Sequence, residues 1–326
     1  MIFCAKRKNH RPISFAKQKT GSSHHETNTS AIRVCCNPVP AAARGKVSSG
    51  LRKPATLTLP MAPSTLLFTA AEWTGVVNNA VMRMAAKVEP HTTPISQVID
   101  HDNGDHWGAG SYCEFEGKRF LLTNEHVAAK LQTHSLAHKF HGDDHYFQFR
   151  HQFHAIDAPN DTALVRIDDR EWTRFPHGAL PIAAAQFATI HAPVEWELLF
   201  VAGYSGERAK FLYGSLFTRG TPYLARECPL PVDPTCVPEF HFAMHYNPAL
   251  ATPVDPKGRP LPLPPGMSGS LVWNTRVVEQ RIRCLVWTPD DAVVTGILWG
   301  WPSDTCVVAT KVEHMQLREL VQRAGG

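Results

Sequence analysis

No stretch of the 326-residue sequence approaches the eighteen consecutive apolar residues that cross a bilayer as a helix, so no membrane span is expected. Acidic residues are almost missing from the first sixty positions, where Glu26 stands alone against eleven Lys or Arg. The rest of the chain carries 22 basic and 28 acidic residues, so the net charge of +4 conceals a slightly negative body. A uniformly basic binding surface is not indicated, and no nucleic-acid partner is expected. No Cys/His finger spacing and no H-E-x-x-H is present, and neither points to a metal. No apolar core of normal length follows the N-terminal basic residues, so a secretory signal is not expected. Without one, the eight cysteines (Cys4, Cys35, Cys36, Cys113, Cys228, Cys236, Cys284 and Cys306) read as reduced thiols of a cytoplasmic protein. Cys228 and Cys236 are spaced to close a small loop, but spacing alone does not set a pairing.

What is present divides the chain. Residues 1–60 are rich in Ser, Thr, Lys, Arg and Pro, with little apolar periodicity. Such a composition cannot offset ordering entropy, and a disordered basic tail is expected. Three readings of it stand: a solvated tail or a stretch ahead of a true start at Met61; an acid-poor targeting stretch; or an arm for an anionic surface or nucleic acid. The first is preferred. Residues 61–91 carry Leu66, Leu67, Phe68, Trp73, Val76, Val77, Val81, Met82 and Met84 at helical spacing, which predicts an amphipathic N-terminal appendage. Short apolar runs then recur at 110–115, 119–123, 145–149, 162–167, 197–203, 210–217, 239–244, 270–274, 282–287, 292–299 and 305–310. Turn residues separate most of them. That rhythm is the one of an all-β barrel or sandwich. A helix over 313–323 is expected to follow. Seven prolines between Pro248 and Pro265 mark a loop, either a stiff connection or the rim of a pocket. His134, His138, His141, His145, His151 and His154 form a cluster with two readings, a metal site or a polar loop, and the loop is preferred.

Three local motifs carry chemistry. Thr123-Asn124-Glu125-His126-Val127-Ala128 follows the strand-like Phe120-Leu121-Leu122. Asn160-Asp161-Thr162 opens the apolar run Ala163-Leu164-Val165. Gly266-Met267-Ser268-Gly269-Ser270 precedes Leu271-Val272-Trp273. A serine hydroxyl becomes a nucleophile when an imidazole takes its proton, and a carboxylate fixes the imidazole tautomer. Converging backbone N–H groups stabilise the oxyanion. Each motif alone has an ordinary structural reading, as a turn or a core histidine. Their conjunction, with 35 residues from His126 to Asp161 and 107 more to Ser268, is more specific. Asp157, Asp168 and Asp169 are nearby alternatives to Asp161. An α/β-hydrolase elbow is set aside. It needs G-x-S-x-G, whereas Ser270 and Glu207 stand where the last glycine would be, and the order of serine and histidine is reversed.

In order and in neighbours these motifs resemble the chymotrypsin-like serine proteases, nearest to the bacterial branch of HtrA proteases and glutamyl endopeptidases. Gly108-Ala109-Gly110-Ser111, Ser268-Gly269-Ser270-Leu271-Val272-Trp273-Asn274, Gly296-Ile297-Leu298-Trp299-Gly300 and Ala309-Thr310-Lys311-Val312 extend the likeness over about residues 92–325. The resemblance implies two six-stranded antiparallel β-barrels, with barrel 1 over about 92–185 and barrel 2 over about 190–312. It implies a serine endopeptidase acting on a peptide or protein, without a cofactor or metal. His126 would be the base, Asp161 its orienter and Ser268 the nucleophile, with Gly266 and Ser268 as oxyanion donors. By the same alignment Pro262, Leu298, Trp299, Gly300 and Val307 would line the substrate site. A trypsin-fold interaction module with an idle triad is the rival reading. There are departures from the family pattern. Met267 stands where zymogens of this family carry an aspartate, and Leu298 stands where glutamyl endopeptidases carry a histidine. Nothing after the terminal helix corresponds to the PDZ module of HtrA proteins.

Overall fold

The structure is a computed structural model that describes residues 67–100, 103–212, 215–217, 220–249, 251 and 260–325. The predicted basic tail and much of the proline loop lie outside these residues. The first element is helix α1, Ala70–Val88. Thr69 caps it: its hydroxyl accepts the Glu72 N–H at 3.2 Å, and the Glu72 carboxylate accepts the Thr69 N–H at 2.7 Å. Val77, Val81, Met84 and Val88 recur at helical spacing on one face and are at most 3% exposed. Burial of such side chains stabilises by about 1.5–3 kcal/mol each.

Two curled antiparallel sheets follow, and the architecture is all-β with two barrels. The first sheet is built from β1 (Thr92–Val98), β2 (Gly104–Phe115), β3 (Lys118–Thr123), β4 (Ser135–His138), β5 (Phe147–Gln148), β6 (His154–Ile156), β7 (Thr162–Arg166) and β8 (Ile182–Ala183). Its order is β5-β4-β1-β2-β3-β7-β6, with β8 alongside β2. After β9 (Leu199–Gly203) comes a separate hairpin, β10 (Lys210–Leu212) with β11 (Ser215–Phe217). The second sheet continues with β12 (Thr221–Ala225), β13 (Glu227–Cys228), β14 (His241–His245), β15 (Leu271–Asn274), β16 (Val293–Ser303) and β17 (Cys306–Lys311). Its order is β12-β9-β15-β16-β17-β14-β13. The two-residue pieces β5, β8 and β13 extend the sheets beyond six strands; the longer strands number six in each.

Each sheet closes on its own core. Ile95, Tyr112, Leu121, Leu136, Phe140 and Val165 fill the first, while Leu199, Val201, Phe242, Met244, Tyr246 and Val272 fill the second. A third cluster joins the buried face of α1 to Phe120 and Leu122 of one barrel and Phe200 and Trp273 of the other. The N-terminal helix itself packs against β9 and β12 of the second barrel.

The apolar run at 282–287 is not a strand. Helix Val277–Ile282 ends there, and the chain turns at Cys284 with φ of 57°. Buried Glu197 holds the start of that helix by accepting the Val278 and Glu279 N–H groups at 3.1 and 3.0 Å. Ile282, Leu285 and Val286 face solvent, so their apolar character reflects no core position. The C-terminal segment forms a short 3-10 turn, Val312–His314, and then helix Leu317–Gly325. Cys228 and Cys236 are free thiols, as are Cys113, Cys284 and Cys306.

Candidate active site

β3 ends at Thr123, whose hydroxyl donates to the Ala109 carbonyl at 2.7 Å. Asn124 is extended and opens the one-turn helix Glu125–Ala128, which carries His126. The Asn124 side chain is fully buried and donates to the Asp161 carbonyl at 2.7 Å. It thus ties the His126 turn to the Asp161 loop. Asp161 lies in the left-handed region with φ of 45°, a conformation that aspartate tolerates better than most residues.

The Asp161 carboxylate meets His126 twice. The imidazole Nδ1–H donates to Oδ2 at 2.7 Å, and the His126 backbone N–H donates to Oδ1 at 3.0 Å. A carboxylate only accepts, so the ring proton sits on Nδ1 and the Nε2 lone pair is left available. The Asp161 side chain is 11% exposed and that of His126 44% exposed, which leaves the ring open to a ligand. Beside them, burial pushes the Glu125 carboxyl above its ordinary range, reinforced by the negative charges of Asp161 and Asp157. Of the alternative aspartates, Asp168 pairs with His151 at 3.0 Å and Asp169 with Arg119 at 2.8 Å.

Barrel 2 and the turn after it fasten the Asp161 loop. His241 Nε2 donates to the Pro159 carbonyl at 2.7 Å, and its Nδ1 accepts the Val237 N–H at 2.9 Å. Thr310 donates to the Asn160 carbonyl at 2.9 Å, and the Asn160 amide donates to the His314 carbonyl.

Ser268 sits on the turn before β15. Its carbonyl accepts the Ala109 N–H at 2.7 Å. Gly108 is the neighbour that this turn shares with the His126 helix. A β-carbon on Gly108 would lie 2.8 Å from the Val127 side chain and 3.3 Å from the Ser268 carbonyl. The Ser268 hydroxyl donates to the Trp299 carbonyl at 3.3 Å. Register between β16 and β17 shifts between Leu298 and Gly300, and this bulge turns Trp299 toward the serine.

Gly266 and Gly269 adopt φ of 92° and 90°, which a side chain would strain. Along the turn, Met267 N–H donates to the Pro264 carbonyl, Gly269 N–H to Leu298 and Ser270 N–H to Met267. Among the described residues, the N–H groups of Gly266 and Ser268 have no acceptor. These two donors are the ones the sequence assigned to an oxyanion.

The residues assigned to substrate contact take different places. Leu298 and Val307 are 2% and 1% exposed and join Leu261, Met267 and Tyr246 in the barrel 2 core. The Pro262 carbonyl accepts the Tyr246 hydroxyl at 2.8 Å. Gly300 is open: an added β-carbon would touch only Pro302, at 4.0 Å. Trp299 packs on His241, with ring centroids 5.0 Å apart. The six clustered histidines disperse. His138 is buried between Tyr112 and Glu171, each 2.8 Å away, and His145 pairs with Asp143 at 2.6 Å. Among the described residues no group of three or more His, Cys, Asp or Glu is placed to hold a metal.

No family model matches the chain, and no curated protein matches it. Among solved structures it is similar to one described as "Aromatic interactions drive the coupled folding and binding of the intrinsically disordered Sesbania mosaic virus VPg protein". The match has 12% identity and a TM-score of 0.37, over 67% of this chain and 85% of that one. A likeness that distant carries no argument about fold or function.

Proposed function

We propose that the chain is a serine endopeptidase of chymotrypsin type. Two separate observations support this reading, one at His126 and one at the Ser268 turn. Asp161 holds His126 in the tautomer that leaves Nε2 as a base, and the Ser268 turn presents two N–H groups without acceptors. Ser268 Oγ would attack the scissile carbonyl as His126 Nε2 takes its proton. The carbonyl oxygen, now negative, would receive the N–H groups of Gly266 and Ser268. His126 would then return the proton to the leaving amine, and water would release the acyl group by the reverse sequence. The attack requires Ser268 Oγ to leave the Trp299 carbonyl, to which it donates at 3.3 Å.

The Trp299 contact also favours a second reading, in which the fold binds peptides and its serine stays idle. Hydrolysis of a denatured protein or a peptide library separates the two. The peptidase reading expects cleavage that is lost in Ser268→Ala and unaffected by chelators. A folded wild type without turnover supports the idle module.

A further inference from the structure

Gly266 is bounded by two held carbonyls. The Pro265 carbonyl accepts the Gly206 N–H at 2.9 Å, and the Gly266 carbonyl accepts from His106 Nε2, also at 2.9 Å. A trans peptide places its N–H opposite its C=O. Holding the Pro265 carbonyl therefore aims the Gly266 N–H. Holding the Gly266 carbonyl fixes the next peptide, whose own N–H goes to Pro264 at 2.8 Å.

His106 belongs to barrel 1, and the turn it holds belongs to barrel 2. Its Nε2 also donates to the Tyr204 carbonyl at 2.8 Å. Both partners only accept, so the proton sits on Nε2. Nδ1 is buried and unpartnered. Burial lowers the ring's proton affinity, which keeps it neutral. The ring also rests on the glycine, since a β-carbon at Gly266 would lie 2.7 Å from two of its atoms. β2 is shaped for this contact. Its pairing with β1 jumps from Ile95 opposite Gly108 to Ser96 opposite His106, which makes Trp107 a bulge and re-aims His106. Two residues past the bulge, Ala109 N–H holds the Ser268 carbonyl at 2.7 Å. One strand of barrel 1 thus holds the carbonyls of Gly266 and Ser268, the first of them on the peptide that lies between the two free N–H groups.

We propose that His106 is a positioning residue that steadies, from barrel 1, the barrel 2 turn carrying the oxyanion donors. Met267, buried among apolar residues, brings no charge to that turn. The inference rests on the peptidase reading.

The test compares His106→Gln, whose amide donates, with His106→Glu, of the same shape but accepting when ionised, and with His106→Leu. Peptide hydrolysis and the rate of Ser268 labelling by a fluorophosphonate are the readouts, with thermal melts as a check of folding. Gln is expected to stay within about 5-fold of the wild type. Glu and Leu are expected to lose about 10–100-fold in kcat with KM little changed, short of the 10²–10³ typical for deletion of an oxyanion donor. If the Leu variant does not fold, the Gln–Glu comparison decides. Equal kcat across the folded variants, or an effect on KM alone, overturns the role of His106 while leaving the peptidase reading intact. A wild type that neither cleaves nor labels defeats both.

Discussion

One carboxylate, that of Asp161, holds both the ring and the backbone of His126, at 2.7 and 3.0 Å. Asp161→Asn keeps the shape and tolerates the left-handed backbone. It presents an amide to Nδ1, however, and favours the opposite tautomer, in which Nε2 carries the proton. We expect a folded variant whose kcat falls by about 10⁴-fold. Steady-state kinetics beside a thermal melt checks this. Activity within tenfold of the wild type would mean that Asp161 does not set the tautomer.

Substrate preference before the scissile bond should be broad and apolar. Leu298 and Val307 are embedded in an apolar core, and Pro262 offers that region no charge. The charges nearest Pro262 are already engaged, Glu207 on the Leu263 N–H at 3.1 Å and Arg208 on the Pro260 carbonyl at 2.7 Å, so a charged side chain buried there would gain no free partner. One methylene discriminates by only about 1–3 kcal/mol, so several apolar residues should be accepted. Cleavage-site profiling on a proteome-derived peptide library measures this. A profile led by Arg, Lys or Glu would contradict it.

Gly269→Ala should destabilise the protein and abolish activity together. A β-carbon there would run into the Ala109 carbonyl and the Thr123 hydroxyl, at φ of 90°. Overpacking and left-handed strain together cost about 3 kcal/mol or more. For a domain of this size that lowers Tm by roughly 6–12 °C. Calorimetry decides, and an unchanged Tm would show that the turn has slack.

The three motifs were legible because each is a continuous stretch. At His126 a strand ends and the next turn carries the histidine, and at Ser268 a turn carries the serine into a strand, as in Phe120 to His126 and Ser268 to Trp273. The barrel architecture was legible for a related reason, since buried strands make short apolar runs between turn residues. The fasteners were not. His106 and Gly266 are 160 residues apart, and His241 and Pro159 are 82 apart. Nothing in the local sequence separates these two histidines from the other sixteen. The run at 282–287 misled because its apolar residues lie on the surface, where hydrophobicity does not report a strand.

Acidification below about pH 6.5 should weaken the fold. Burial lowers the pKa of His91, His106, His241 and His245 below the ordinary histidine value. Once the pH falls below the unfolded value of about 6.5, the unfolded chain binds protons that the native state refuses. The stabilisation is complete above that value and is lost progressively as the pH drops toward the native pKa values. Thermal melts between pH 8 and pH 5 should show a falling Tm, with a shallower slope for His91→Gln. A Tm that rises with acidification across this window would contradict the assignment.

The most direct test of the central claim is covalent labelling of the proposed nucleophile. The full chain is treated with a fluorophosphonate, and the modified residue is located by peptide mass spectrometry. The account predicts a single adduct on Ser268, absent in Ser268→Ala and slowed by orders of magnitude in His126→Ala. A folded wild type that takes no label, or takes it equally without His126, would contradict it.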